Sequence, residues 1–525
     1  MQKREEEKMK KMKKVLAMIV ATAMALVTFV VPVSAASTDN ATKVTAQLYG
    51  RVEDNGQAIY KVVLDYKNVK VSDVDKDTYT VHVKATTEGK RPDDETAYGD
   101  FDKDRTIVKV ETDGTTVTLY LHENDGAAGT LSYLATGARN IPSDLTYTIT
   151  QNEAVNVSAM DGRELDSLNP ESVEITCDNT VIDEETEAFE SVKVENGINY
   201  QFHKGTNDTL IVWFHGNGEG DYIYNGTANG NNVAQMLANR GTVAWTSDEA
   251  KEVFGDASVI SFQAPDTWYY AQKDGLLAKA YNEIQDVIKA NGIDANKVYV
   301  SGCSAGGYMT TRMIIAYPDL FKAAMINCPA LDVADKRGGE TPTDEELASI
   351  KDSKTAIWLV QGETDGSVAT DECSKRMFGI LTKGQELTTT RVEQEIQSGY
   401  TTQETSDGKY KLSLYDTTEN GKLKFAEDFD QDGVLDYTEF SNHWSWIYTL
   451  RNNPTDASGT HIWQWAVNYK SASEVVPETK PDTDTTSTTK PVASVATGDD
   501  TPIAVVASIM MLSAGAYLTI KKYAK

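Results

Sequence analysis

One short turn dictates the architecture expected of this chain. Gly302-Cys303-Ser304-Ala305-Gly306 lies between the apolar strand Lys297-Val298-Tyr299-Val300-Ser301 and a helical stretch from Met309 to Ala316. A strand that passes directly into a helix has no room for bulky neighbours. Gly302, Ala305, Gly306 and Gly307 supply the small residues such a turn needs. The turn holds Ser304 in strained backbone with its hydroxyl outward, and the helix begins beneath it. The amino-terminal end of that helix favours negative charge at the hydroxyl.

The surrounding rhythm agrees with the turn. Thr209–Phe214, Ser258–Phe262, Ala323–Asn327 and Ala356–Val360 read as buried strands, and Leu276, Leu277, Ala280, Ile284, Val287 and Ile288 mark a helix. Strands alternating with helices predict a mostly parallel sheet with right-handed crossovers, carrying its chemistry at the carboxyl ends of the strands. This α/β region is expected over residues 186–473. Residues 38–185 instead show period-two runs separated by Gly, Asp and Asn turns, among them Ala58–Leu64, Tyr79–Val83, Val117–Leu121 and Leu145–Ile149. They predict an all-β, Ig-like sandwich of about seven strands. His82 and His122 fall in or at the end of these strands and read as ordinary sheet residues.

In a strand–turn–helix of this kind the reactive serine is followed along the chain by an acid and then a histidine. Ser304 is the candidate nucleophile. Asp365, in Gln361-Gly362-Glu363-Thr364-Asp365 after a strand, is the candidate acid, with Asp332 and Glu363 as rivals. Two histidines remain. His461 opens a stretch whose Ile462, Trp465, Ala466 and Tyr469 share one helical face, so it reads as packed. His443 lies in the loop Ser441-Asn442-His443-Trp444-Ser445-Trp446 and is the candidate base. An oxyanion hole needs two preorganised N–H donors. Ala305 supplies one, and Gly216 or Asn217 of His215-Gly216-Asn217-Gly218 the other. His215 comes too early in the chain for a base and reads as structural.

His215-Gly216, Gly302–Gly307, Gln361–Asp365 and His443 resemble the α/β-hydrolase esterases related to polyhydroxybutyrate depolymerases and to feruloyl and acetylxylan esterases. The resemblance covers about residues 186–472, and the sandwich resembles the immunoglobulin-like domain preceding some bacterial esterases. It implies an α/β-hydrolase fold and hydrolysis of carboxylic esters through an acyl-enzyme, with acetyl or feruloyl esters of plant polysaccharide among the substrates. Prolyl-oligopeptidase-type peptidases share the same turn, so peptide cleavage is the nearest enzymatic rival. A non-catalytic surface glycan-binding protein is the alternative of a different class.

Asp428-Phe429-Asp430-Gln431-Asp432-Gly433-Val434-Leu435-Asp436-Tyr437-Thr438-Glu439 fits an EF-hand calcium loop. Asp428, Asp430, Asp432 and Glu439 would supply carboxylates, Val434 its carbonyl, and Asp436 a water-mediated contact. So many carboxylates repel one another unless a cation, here structural Ca²⁺, neutralises them. Lys422–Phe425 reads as strand, so a helix–loop–helix pair is not expected. Cys303 and Cys328 are expected as free, buried thiols. Trp268, Tyr269, Tyr270, Trp444 and Trp446 sit where rings could face a substrate or fill the core.

The ends read as addresses. Residues 1–35 combine seven basic residues, an apolar run and Val33-Ser34-Ala35-Ala36, which is the pattern of a secretory signal peptide. Residues 474–500 read as a disordered polar linker. Residues 501–525 carry an apolar span followed by Lys521, Lys522 and Lys525. They imply a membrane or cell-wall anchor, with sortase a possible partner. The expected place is the outer surface of a Gram-positive bacterium. With 79 acidic against 50 basic residues, a net charge of −29, the chain lacks the basic face that nucleic acid requires.

Overall fold

The computed structural model describes residues 41–470. The expected signal peptide, polar linker and anchor lie outside the described residues. Among the described residues no helix is long and apolar enough to cross a membrane.

Alternation in the amino-terminal part produces the sandwich. A five-stranded sheet runs in the order Val173–Ile182, Thr42–Glu53, Gly56–Asp65, Thr116–Leu121, Ile107–Asp113. Val44, Leu48, Val62, Leu64 and Leu119 point from it into one core. Val81, Val83, Tyr147 and Ile149 meet them from the second sheet, where Tyr79–Thr86 lies between Asp144–Gln151 and Phe101–Asp104. Thirteen strands form here, against the seven or so expected. The extra ones are two to four residues long, such as Ala97–Tyr98, Leu131–Leu134 and Arg139–Pro142, too short for an alternation to register. His82 is an exposed strand residue held between Asp102 and Asp104, and His122 follows a strand end.

The second part is a ten-stranded sheet. Its strands are β1 Glu190–Val192, β2 Tyr200–His203, β3 Leu210–Phe214, β4 Ser258–Phe262, β5 Val298–Cys303, β6 Ala323–Asn327, β7 Ala356–Gly362, β8 Leu387–Val392, β9 Tyr400–Thr405 and β10 Tyr410–Tyr415. The order is β1-β2-β4-β3-β5-β6-β7-β10-β9-β8, with the strands from β4 through β10 in that row parallel. Strand β3 shows why the central strands read as unbroken apolar runs. Leu210, Val212 and Phe214 face one core, while Ile211 and Trp213 face the other. Both faces are covered, so an apolar residue is favoured at each position, and the few polar ones, such as Ser261 and Ser301, are hydrogen-bonded. Helices α1 Leu276–Asn291 and α2 Ala305–Ala316 pack on the first face.

Two features aim the site. Strand β5 ends at Cys303, and α2 starts at Ala305. Ser304 between them has φ 54° and ψ −116°, a backbone that ordinary residues avoid. A Cβ on Gly306 would lie 1.9 Å from the Phe214 carbonyl oxygen and 2.4 Å from that of His215. Only glycine there lets α2 press against the end of β3, which carries the neighbouring His215–Gly218 loop.

Candidate active site

The chain brings Ser304, His443 and Asp365 together from three separate loops. His443 Nε2 lies 2.9 Å from Ser304 Oγ, and His443 Nδ1 lies 2.7 Å from Asp365 Oδ2. The second oxygen of Asp365 accepts the N–H groups of Ser367 (2.8 Å) and Val368 (3.0 Å), and Gln361 Nε2 donates to Oδ2 at 3.1 Å. A buried carboxylate satisfied in this way points in one direction only. It fixes Nδ1 as the protonated nitrogen of His443 and leaves Nε2 as the acceptor for the serine proton.

Burial alone would push the His443 imidazole down. The Cys328 sulfur and the Asp365 carboxylate beside it outweigh that and hold it above its ordinary value. Cys328 is a residue that sequence reasoning left outside the site. Its sulfur, the Asp365 carboxylate and a His443 nitrogen all lie within 4.8 Å of one another. Asn442 was missed as well. Its Oδ1 accepts the Gly366 N–H at 3.2 Å and its Nδ2 donates to the Thr364 carbonyl, so the base loop is tied directly to the acid loop. Neither residue belongs to a motif, and only proximity in space reveals them.

The two rival acids are engaged elsewhere. Asp332 accepts from the Cys373 thiol at 3.1 Å, and Glu363 is exposed. His461 Nδ1 donates to the Asn452 carbonyl, 2.6 Å away, at the start of the helix Ile462–Asn468. His215 is fully buried; its Nε2 accepts the Ala264 N–H at 2.9 Å, and Nδ1 lies against the Gly216 carbonyl at 2.5 Å. Burial lowers its pKa to about 3, so it is a neutral strut for the loop. Trp268 and Tyr269 are buried in the core, whereas Trp446 stands edge-on to His443 with centroids 5.6 Å apart. All four cysteines are free, and Cys303 and Cys328 are buried.

Ala305 opens α2, so its N–H has no partner within the helix and faces the region above Ser304. Across from it, Gly216 leads into the single turn Asn217–Glu219. The Glu219 carboxylate packs against Gly216 beneath this turn, its Oε2 3.0 Å from where a Gly216 Cβ would stand, and Gly216 and Asn217 are the two residues whose N–H groups lie in the expected donor loop.

The acidic loop forms between strands β11 Lys422–Glu427 and β12 Asp436–Ser441, a hairpin that ends next to His443. Carboxylate oxygens of Asp428, Asp430 and Asp432 lie within 4.8 Å of one another. Asp428 accepts the N–H groups of Asp432 (3.0 Å) and Gly433 (2.9 Å). These hard oxygen donors fit Ca²⁺ in chemistry. Asp436 opens β12, and Glu439 on the same strand takes a hydrogen bond from the Tyr437 hydroxyl at 2.5 Å, so this structure gathers three of the expected carboxylates. The loop leans on the sandwich, with Gln431 Nε2 donating to the Leu121 carbonyl at 2.9 Å.

Two family models match the chain. Residues 46–164 match the esterase Ig-like N-terminal domain, and residues 266–395 match the prolyl oligopeptidase family. A poly(3-hydroxyalkanoate) depolymerase C from Paucimonas lemoignei is 48% identical over 48 residues, which is 9% of this chain and 12% of that protein's length. The crystal structure of a thermostable esterase aligns with a TM-score of 0.55 at 21% identity, covering 78% of this chain and 96% of that one. An acetyl xylan esterase from Aspergillus awamori aligns over 44% of this chain and 93% of its own at 18% identity, with a TM-score of 0.30. Strand order, turn and matched domains agree: the chain adopts the α/β-hydrolase fold behind an N-terminal domain of the esterase Ig-like type.

Proposed function

We propose that the protein is a serine esterase, secreted and held at the outer surface of a Gram-positive cell, that hydrolyses carboxylic esters through an acyl-enzyme. The observation that carries this reading is the unbroken relay from Ser304 through His443 to Asp365, at 2.9 and 2.7 Å. Ser304 Oγ attacks the ester carbonyl while His443 Nε2 takes its proton. Asp365 stabilises the imidazolium that results. The N–H groups of Ala305 and of Gly216 or Asn217 bind the developing oxyanion. His443 then returns the proton to the departing alcohol. Water, deprotonated by the same imidazole, releases the acid.

Acetyl or feruloyl esters of plant polysaccharide are the first substrates to try. The match to a poly(3-hydroxyalkanoate) depolymerase supports adding a hydroxybutyrate ester. A second reading, a serine peptidase, is favoured by the match of residues 266–395 to the prolyl oligopeptidase family. A panel of acetyl, feruloyl, hydroxybutyrate and prolyl-peptide substrates separates them, with Ser304→Ala as the control. Ester turnover that disappears in S304A is the expected result. Peptide turnover alone would replace the esterase by the peptidase, and turnover retained in S304A would remove Ser304 from the reaction.

Calcium belongs to the proposal as a structural ion. Asp428, Asp430 and Asp432 would hold it, with Val434, Asp436 and Glu439 completing the shell, and it would neutralise the loop that leads into His443. The apolar carboxyl-terminal span, through a membrane or a sortase-linked wall, would anchor the enzyme outside the cell.

A further inference from the structure

Glu219 is a carboxylic acid that ester hydrolysis does not call for, yet it sits under the loop that receives the substrate carbonyl. It is 8% exposed. Its Oε2 lies 3.9 Å from His215 Nδ1, and its own N–H turns back to the Gly216 carbonyl at 3.5 Å. A Cβ on Gly216 would approach Glu219 Oε2 to 3.0 Å and the Cys303 sulfur to 3.5 Å, so the acid is packed directly behind the donor loop and the nucleophile strand. The backbone of the same turn is held from outside. Gln263 Nε2 donates to the Glu219 carbonyl at 2.9 Å, and the Thr267 hydroxyl donates to Asn217 Oδ1 at 2.9 Å.

The other oxygen of Glu219 leaves the hydrolase part altogether. Asn140, on the sandwich strand Arg139–Pro142, donates to Oε1 at 3.3 Å. The same Asn140 would lie 3.1 Å from a Cβ on Gly218, and the Tyr133 ring 3.8 Å from it. Arg139 beside it bonds Asp266 Oδ1 at 2.6 Å and the Asp266 carbonyl at 3.1 Å. The charged and titratable groups around Glu219 are therefore Arg139 and Tyr133 from the sandwich, His215 from its own loop and Cys303 from β5.

We propose that Glu219 is a positioning residue that aims the donor N–H of the Gly216–Asn217 loop at the oxyanion by fastening the Gly216–Glu219 turn to Asn140, which makes the N-terminal sandwich a working part of the oxyanion hole. The bond from Asn140 to Glu219 Oε1 stops the turn from rotating. A misplaced donor costs rate and leaves ground-state binding untouched, because the oxyanion exists only in the transition state.

This inference rests on the serine-hydrolase reading, and the test keeps the two apart. Wild type, Glu219→Ala, Glu219→Gln and Asn140→Ala are compared as full chains on a nitrophenyl acetate, with circular dichroism to check folding. The expected result for E219A is a kcat lowered roughly 100-fold with KM within about 3-fold, the scale of losing one oxyanion donor. E219Q, which keeps an acceptor oxygen, should recover roughly 10-fold of that loss, and N140A should lose several-fold in kcat. Wild-type kcat in folded E219A, a loss confined to KM, or an E219Q no better than E219A overturns the assignment while leaving the esterase standing. Should E219A fail to fold, N140A decides, and an unchanged kcat there overturns it. A wild-type protein inert to every ester removes both readings together.

Discussion

Replacing Glu219 by glutamine should change how stability responds to pH, whatever it does to rate. Burial disfavours the ionised carboxyl and raises its pKa from 4.5 to about 7, against the opposing pull of Arg139, Asn140 and the loop N–H groups. A pKa higher in the folded chain than in the unfolded one means that the folded chain holds the proton more tightly. The resulting stability is fully present below pH 4.5 and is lost as pH rises through about 7. At 1.36 kcal/mol per pH unit, the loss between pH 5 and pH 8.5 amounts to about 2.5 kcal/mol. Glutamine cannot ionise, so the variant escapes it. Glutamine does give up one of two accepting oxygens, a cost of about 1 kcal/mol at all pH values. E219Q should therefore melt below wild type at pH 5 and above it at pH 8.5. The difference in Tm should move by roughly 5 °C over that range, at about 2 °C per kcal/mol for a unit of this size. Differential scanning calorimetry at a series of pH values reads it directly. A difference in Tm that stays constant with pH would refute the reasoning, because it would mean that Glu219 titrates alike in the folded and unfolded chains.

Three further outcomes test the architecture and the acidic loop. Gly306→Ala drives a methyl group into the Phe214 and His215 carbonyls and should cost about 1–3 kcal/mol or more, together with at least a tenfold loss of kcat. Gly379→Ala, in the helix Arg376–Leu381 with open space around it, should instead stabilise by up to about 1 kcal/mol in thermal melts. Removing calcium with a chelator should lower Tm and turnover together, because the hairpin β11–β12 leads straight into His443. A fall in Tm with turnover unchanged would leave the ion a purely local role.

The candidate site was legible to different depths. Ser304 stood out because a strand, a turn and a helix are all local, and the small residues around the hydroxyl are contiguous. Asp365 and His443 were narrowed by chain order and loop context, since each lies directly after or before a recognisable element. Glu219, Asn140, Asn442 and Cys328 carried no such signal. Each owes its place to a contact across the fold: Asn140 is 79 positions from Glu219, and Asn442 is 76 from Gly366. The short sandwich strands escaped for a related reason. Two to four residues complete at most two alternations, and only their partners define them as strands.

What the amino-acid order determined alone is therefore what short-range physics controls: a sheet alternating with helices, a strained serine, an all-β region in front, and a loop of closely spaced carboxylates. Tertiary structure alone decided which distant groups converge. It placed a sandwich asparagine on the acid beneath the donor loop and set a cysteine beside the base. Periodicity and turn chemistry act over a few residues, whereas those pairings depend on how segments far apart in the chain pack against one another.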